Sequence, residues 1–190
     1  MRLRILSTLL GLAVLTTWVP LAEAAPASLV MKGKEKPGRC CGKLSPVASA
    51  LKEAGYLSGL QAKPHARYYI FFCSASWCGI CQQMLPQVIE QYEQKISRSE
   101  DVELILLNHD QSPGAGREYM EQHAPMLPGV LVHTLRLAAK PTYKYIPACF
   151  IMTAGGELIS AGGGDVFLNW ESEIQQKPEK TTSDNKLQHR

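Results

Sequence analysis

The sequence has little net charge and no long basic run. Its 20 Lys and Arg residues stand against 17 Asp and Glu residues, a net charge of +3 over 190 residues. We therefore expect no nucleic acid as a partner, because nucleic-acid-binding proteins carry a basic patch or a recognisable motif. The sequence also has no internal repeat. A hydrophobic fraction of 45% and a charged fraction of 19% predict a globular protein with one domain of ordinary size and some additional sequence.

The sequence also lacks the usual ligand spacing of a zinc site. A second Cys-x-x-Cys pair is missing, and the five histidines show no paired spacing that would complete a tetrahedral site. A Thr-x-x-Cys motif is absent as well, which disfavours a peroxidase. What the sequence does have is six cysteines: Cys40, Cys41, Cys73, Cys78, Cys81 and Cys149. Six cysteines allow 15 full pairings, so counting does not give their connectivity.

Residues 1–24 have the pattern of a signal peptide. Arg2 and Arg4 precede the mostly apolar run Ile5–Val19, and Ala22-Glu23-Ala24 has the small-x-small form of a signal-peptidase site. The alternative is an uncleaved anchor, since this run is only just long enough to span a bilayer. The cleavage site and the weak hydrophobicity favour removal near Ala24. We therefore expect a periplasmic or secreted protein without a stable membrane span, in a compartment that permits disulfides.

The mature chain divides into three predicted parts. Residues 25–66 form an N-terminal leader and a short helix, for which Ser45 is the N-cap, Pro46 the first residue and Gly55 the stop signal. Residues 67–174 form the main domain. Residues 175–190 are polar, charged and almost free of apolar side chains, which predicts a disordered tail.

The most informative stretch of the main domain is Trp77-Cys78-Gly79-Ile80-Cys81. It follows the continuous apolar run Tyr68–Cys73, which is typical of a buried strand. After Cys81, apolar residues recur at three- and four-residue intervals as far as Ile96, which indicates a helix. Cys78 is therefore expected at a helix N-terminus, where unpaired N–H groups and the helix dipole stabilise a thiolate. Such surroundings lower the pKa of a thiol from about 8.5 to between about 3.5 and 7.5.

The remaining elements are predicted from apolar runs and turn signals. Val102–Leu107 reads as a second strand, parallel to the first because a helix connects the two. Further elements are a turn at Ser112-Pro113-Gly114, a helix over Gly116–His123, a strand within Gly129–Leu137, a hairpin of Ala148–Thr153 with Leu158–Ala161, and a closing helix from Asp165 to Ile174 with Phe167, Leu168 and Ile174 facing inward.

Three features beyond the cysteine pair make residues 67–174 resemble the thioredoxin superfamily. Trp77 stands directly before the first cysteine, Pro86 stands five residues after Cys81, and Ile146-Pro147 opens the predicted hairpin where the family has its cis-proline loop. The resemblance implies an α/β thioredoxin-like fold, a central mixed sheet flanked by helices, here with an N-terminal helical extension. The longer stretch between Asn108 and Tyr145 resembles the exported thiol-disulfide oxidoreductases of the TlpA and ResA type.

The resemblance also implies roles for individual residues. Cys78 would be the nucleophile and Cys81 the resolving thiol of a redox disulfide, while Trp77, Ile146 and Pro147 would bind the substrate segment. The partners would be protein thiols and disulfides and an upstream redox partner, and no bound cofactor would be needed. An inert structural disulfide between the two cysteines is the alternative. Glycines 162–164 would leave room for a partner or simply form a turn.

Two positions depart from the thioredoxin pattern. Thioredoxins carry a buried Asp six residues before the first cysteine, and here that position is Phe72. The dipeptide between the cysteines is Gly-Ile, without a proline in second position. Because this dipeptide influences thiolate stability, and related potentials span roughly −270 to −120 mV, the direction of electron flow stays open.

The other four cysteines allow several interpretations. Cys73 and Cys149 are predicted on neighbouring strands, where buried free thiols are favoured over a second disulfide. Cys40 and Cys41 are adjacent in a turn, and they would relay electrons, pair with another molecule or bind a soft metal such as Cu(I). Two other functions therefore stand beside the oxidoreductase: a copper-binding protein on the same scaffold, and a redox-silent adaptor.

Overall fold

The computed structural model of the chain describes residues 43–176, which contain five strands and five α-helices. In chain order these are α1 (Pro46–Ala54), β1 (Tyr68–Ser74), α2 (Gly79–Gln91), β2 (Val102–Asn108), α3 (Pro113–His123), β3 (Gly129–Leu131), β4 (Ala148–Thr153), β5 (Leu158–Gly162), α4 (Gly164–Leu168) and α5 (Trp170–Gln176). Helix α2 continues as a π-helical segment, Tyr92–Ile96. The predicted signal peptide, most of the leader with Cys40 and Cys41, and residues 177–190 lie outside the described residues, and the predicted division into parts stays a prediction.

Helix α1 begins and ends where its capping residues predict. The Ser45 side chain accepts a hydrogen bond from the amide of Ala48 at 3.2 Å, and Pro46 fills the first position, where no amide partner is needed. Gly55 ends the helix at φ 76°, a conformation that favours glycine. The predicted short helix is therefore confirmed.

The strands form one mixed sheet in the order β3-β2-β1-β4-β5. Strands β1 and β2 pair in parallel from Tyr68 with Val102 to Ser74 with Asn108, which confirms the predicted strand-helix-strand unit. Strand β4 is antiparallel to β1 and forms a hairpin with β5. Strand β1 lies in the centre of the sheet with helices on both faces, which explains why its sequence is a continuous apolar run.

The two faces of the sheet are covered by different elements. Alternate residues of β1 point in opposite directions, so that Ile70 and Phe72 pack towards α2, α4 and α5, while Phe71 and Cys73 pack towards α1 and the segment 132–146. On this second face the ring of Phe71 stacks on that of Phe150 at 4.7 Å between centroids. The domain thus has two apolar layers, one on each side of the sheet.

Cys73 and Cys149 lie on these opposite faces. In the β1–β4 register Cys73 pairs with Ala148, whereas Cys149 pairs with Phe72. Because neighbouring positions of paired strands point to opposite sides, the two sulfur atoms cannot meet. Both cysteines are buried and free, which confirms the favoured interpretation.

The structure corrects three details predicted from the sequence. Ser112 and Pro113 form no turn: the Ser112 side chain caps α3 and Pro113 is its first residue. The strand predicted within Gly129–Leu137 is confirmed, as the three residues of β3. The closing helix is two helices, which meet at Asn169 and continue to Gln176, and Leu168 is exposed rather than inward-facing. Turn signals and apolar spacing did not reveal these boundaries because a Ser-Pro pair serves both turns and helix starts.

The antiparallel direction of β4 determines where chemistry can occur. Strand β1 ends at Ser74, shortly before α2 begins, and β4 begins at the same edge of the sheet because Cys73 pairs with Ala148. The chain before Ala148 and the first turn of α2 therefore lie side by side. Across residues 43–176 every helix is too short or too polar to cross a bilayer.

Candidate active site

Cys78 and Cys81 form a disulfide at the start of α2. Their Cα atoms are 5.2 Å apart, and Cys78 is the N-cap residue of the helix. The Sγ atom of Cys78 accepts a hydrogen bond from the amide of Cys81 at 3.2 Å. Cys78 is 8% exposed and Cys81 is fully buried, so of the two residues only Cys78 keeps accessible surface. The helix N-terminus favours negative charge on the Cys78 sulfur.

Ile146 and Pro147 lie beside this disulfide. The peptide bond between them is cis, as the resemblance implied. The carbonyl oxygen of Ile146 is 3.7 Å from Cys78 Sγ, across 68 positions of sequence, and the Ile146 side chain packs on both cysteines. After reduction, the Cys78 thiol can donate a hydrogen bond to this carbonyl.

Large apolar side chains are exposed around the disulfide. Trp77 is 66% exposed, Ile80 62% and Tyr145 83%, although most apolar residues of the domain are buried. Exposed apolar side chains clustered around a reactive group are typical of a surface that meets another macromolecule. The structure therefore brings together all five residues that were singled out in the sequence: Trp77, Cys78, Cys81, Ile146 and Pro147.

The strand order, the disulfide at the start of α2 and the cis-proline beside it decide the fold. The domain has a thioredoxin-like fold. The parallel edge strand β3 follows α3, so the long stretch between Asn108 and Tyr145 supplies a helix and a strand of this thioredoxin-like domain.

Comparisons with known proteins give similarities at low identity. No protein-family model and no curated protein matches the sequence. A thiol-disulfide oxidoreductase from Bacteroides fragilis is similar in structure with a TM-score of 0.47 and 12% identity, over 63% of this chain and 98% of that one. A thioredoxin-like protein from Aeropyrum pernix has a TM-score of 0.43 and 15% identity, over 59% and 78%. StoA from Bacillus subtilis has a TM-score of 0.39 and 20% identity, over 51% and 73%.

A buried carboxylate that the sequence analysis missed holds the loop before Cys78. Asp110 is 3% exposed and accepts hydrogen bonds from the amide and hydroxyl of Ser76, at 3.1 and 2.7 Å, and from the Asn108 side chain at 2.9 Å. The Gln82 side chain donates to the Ser76 carbonyl at 2.6 Å. The polar run Asn108-His109-Asp110 after a buried parallel strand was the available signal, since functional groups gather at the carboxyl ends of such strands.

A second polar group lies on the other face, beside Trp77. His109 Nε2 and the Tyr143 hydroxyl share a hydrogen bond at 2.8 Å, and the two residues line one cavity with Trp77 and Ile146. Burial lowers the pKa of His109, and nearby Lys140 lowers it further, while Asp110 opposes this. The pKa of Tyr143 is raised, chiefly by burial. At neutral pH this pair is therefore uncharged.

Phe72 occupies the position where thioredoxins have a buried acid. Its ring is fully buried and packs edge-on against Phe167, with 5.7 Å between centroids. An ionisable group is absent from this position, and the space it would need is filled by aromatic side chains. Any proton transfer at Cys81 must therefore use another group or water.

The glycines at positions 162–164 serve internal packing. A Cβ atom on Gly162 would lie 2.7 Å from the Val166 side chain, and one on Gly164 would collide with Met84 of α2. Gly163 is the N-cap residue of α4. These positions therefore allow α4 to approach β5 and α2 closely, a role that the sequence analysis did not consider.

Metal-ligating side chains do not cluster in the domain. Within the part of the chain that the structure describes, no three His, Cys, Asp or Glu side chains come together as ligands. The metal-ligand candidates Cys40 and Cys41 lie outside that part. The copper-binding alternative, in which Cys78 and Cys81 would bind Cu(I) together with Cys40 and Cys41, stays a hypothesis.

Proposed function

We propose that the protein is an exported thiol-disulfide oxidoreductase that exchanges disulfides with protein substrates. The observation that supports this most directly is the asymmetry of the cysteine pair: Cys78 at the helix N-cap keeps a small accessible surface, and its partner Cys81 is fully buried. A thiolate at Cys78 attacks a substrate disulfide, forming a mixed disulfide and releasing a substrate thiolate. Cys81 then attacks the Cys78 sulfur, releases the second substrate thiol and closes the ring, so that two electrons pass to the substrate.

In this proposal Trp77, Ile146 and Pro147 bind the substrate chain. Trp77 is exposed next to Cys78 and lines one cavity with Ile146. The backbone of residues 146–147 would offer main-chain hydrogen bonds to an extended segment. The signal peptide of residues 1–24, cleaved near Ala24, would deliver the protein to the periplasm or the exterior. N-terminal sequencing of the exported protein tests this part: a mature chain that begins near Ala25 supports it, and retained residues 1–24 contradict it.

The decisive experiment is insulin reduction by the dithiol protein. The oxidised protein should gain two thiols from the Cys78–Cys81 disulfide on mild reduction, and its turnover should disappear in Cys78→Ser. A double variant, Cys40→Ser with Cys41→Ser, is the matched control and should keep full turnover. Unchanged activity of Cys78→Ser would reject the assignment, and stoichiometric retention of Cu(I) without turnover would support the copper-binding alternative.

The reduction potential decides the direction of electron flow. Equilibration of the Cys78–Cys81 couple with glutathione, in the Cys40→Ser, Cys41→Ser background, gives this value directly. A potential near −270 mV would indicate a reductant of exported proteins, and one near −120 mV an oxidant.

A further inference from the structure

Three exposed or half-buried residues form a ridge next to Cys78. We call Tyr143, Lys144 and Tyr145 the loop ridge; it precedes Ile146 directly. The ridge lines a cavity of about 280 Å³ together with Trp77 and His109. All three ridge residues also line a second cavity of about 290 Å³, together with Pro147 and Gly163. The loop ridge leads directly into Ile146, whose carbonyl oxygen is 3.7 Å from Cys78 Sγ.

The cavity that the loop ridge shares with Trp77 is lined by the positively charged Lys144, and no acidic side chain is among its described lining residues. The sequence contains no Asp or Glu from Gln122 to Gly156, a stretch that includes Arg136, Lys140 and Lys144. Lys144 is exposed and makes no ion pair with any residue of the described part of the chain. The Lys140 ammonium donates to the Val132 carbonyl at 2.9 Å, which fixes a second positive charge in the same loop.

Acidic groups lie near the ridge but do not line the cavity beside Trp77. Asp165 is exposed, and its carboxylate lies next to Gly163, which lines the other cavity. The Asp110 carboxylate is buried, and its oxygens accept hydrogen bonds from Ser76 and Asn108. Glu118 lines a different cavity, together with Ser76 and Gln82. Charge is therefore distributed unequally around the disulfide. The loop ridge carries exposed positive charge and aromatic rings, while the acidic side chains lie outside the cavity that it shares with Trp77.

We propose that the loop ridge selects protein disulfides in which an Asp or Glu side chain flanks the cysteine that Cys78 attacks. The inference rests on the proposed exchange activity and names its preferred substrate class. Lys144 supplies the complementary charge, and the tyrosine rings beside it contact the rest of the segment. Charges at the rim of an interface act mainly on the rate of association, and salt weakens them.

The test uses short peptides that differ in one residue next to a single cysteine. Each peptide, with Glu, Gln or Lys at that position, is joined through its cysteine to a chromogenic nitrobenzoate thiol. Attack by reduced Cys78 on the peptide sulfur forms the Cys78–peptide disulfide and releases the coloured thiolate, so atoms and electrons balance. We expect the Glu peptide to react about twofold to fivefold faster than the Lys peptide, with the Gln peptide between them. The difference should vanish at about 1 M salt, where the screening length is near 3 Å.

The variant Lys144→Glu should reverse the order of the three peptides. Lys52→Glu is the matched control, because it changes the net charge equally at an exposed position of α1 and should keep the wild-type order. An unchanged order in Lys144→Glu, or equal rates of all peptides in the wild type, would overturn the inference. The inference would also be overturned if the wild type formed a dimer that Lys144→Glu dissociates while all peptides react at equal rates. A second copy of the chain would then occupy the loop ridge.

The same assay separates this inference from the proposed function. If the peptides react at equal rates and Cys78→Ser abolishes the release, the exchange activity stands and only the selectivity is wrong. If Cys78→Ser releases the coloured thiolate as fast as the wild type, the proposed function itself fails.

Discussion

The carboxylate of Asp110 accepts a hydrogen bond from the Ser76 hydroxyl at 2.7 Å, two residues before the accessible cysteine. The Ser76 amide donates to the same carboxylate at 3.1 Å, so the end of β2 holds the loop that leads from β1 into α2. Because the carboxylate is buried, each of these hydrogen bonds acts in a medium of low dielectric constant. The position of Trp77 and Cys78 thus depends on a residue in the neighbouring strand connection.

The variant Asp110→Asn should destabilise the domain. An amide offers one acceptor oxygen and two donors, so it cannot reproduce the bonds from both groups of Ser76 and from Asn108. We expect the free energy of unfolding to fall by about 1–3 kcal/mol, measured by urea denaturation of the oxidised protein. Glu118→Gln, on the exposed part of α3, is the control and should change it by less than about 0.5 kcal/mol. Equal stability of Asp110→Asn and the wild type would show that the network does not hold the loop.

Glu103 should make stability depend on pH. Its carboxylate is buried on β2 and accepts bonds from the amides of Lys63 and Leu104. Burial raises its pKa, while the hydrogen bonds and the charge of Lys63 partly oppose this. A raised pKa means that the folded state holds the proton more tightly than the unfolded chain. The stabilisation is therefore complete below the ordinary pKa and is lost as pH rises through the raised value.

Glu103→Gln removes this titration. The difference in unfolding free energy between wild type and Glu103→Gln should shift against the wild type as pH rises from about 4 to 7. Urea denaturation of both proteins at several pH values measures this difference. Because the two proteins share all other titratable groups, the contributions of those groups cancel. A difference that stays constant over this range would show that the pKa of Glu103 is not raised in the folded protein.

Cys73 and Cys149 should be unreactive in the folded protein. Burial raises the pKa of Cys73 to about 12 and that of Cys149 well above its ordinary value, so neither forms a thiolate at pH 8. In the Cys40→Ser, Cys41→Ser background, the oxidised native protein should therefore show no thiol towards a disulfide reagent. Two thiols should appear after denaturation, from the two free buried cysteines. A thiol that reacts rapidly in the native protein would contradict this burial.

Cys81→Ser should trap a mixed disulfide on Cys78. Cys78 can still attack a substrate, but the buried thiol that would release the substrate is missing. Mass spectrometry after incubation with a disulfide peptide should show the protein with one peptide attached, and a reducing agent should remove it. Cys78→Ser is the matched variant and should stay unmodified at this site. Equal trapping by both variants would show that Cys78 is not the nucleophile.

Much of the fold could be predicted from short stretches of sequence. The apolar run of β1, the parallel strand β2 and the hairpin of β4 with β5 were found where apolar segments end at Gly or polar residues. The capped helix α1 followed from Ser45, Pro46 and Gly55. The start of α3 and the break at Asn169 were missed, because a Ser-Pro pair and a short polar interruption are each compatible with more than one local structure.

The sequence by itself determined that Cys78 and Cys81 lie one helical turn apart, with the first at the helix N-terminus, because spacing along a helix is a local property. Only the tertiary structure decided that the Ile146 carbonyl reaches the first sulfur, that Asp110 holds Ser76, and that Cys73 and Cys149 face apart. Each of these depends on how β4 and β2 are placed against β1. Strand direction and register are set by the burial of whole sheet faces, to which residues far apart in the chain contribute together.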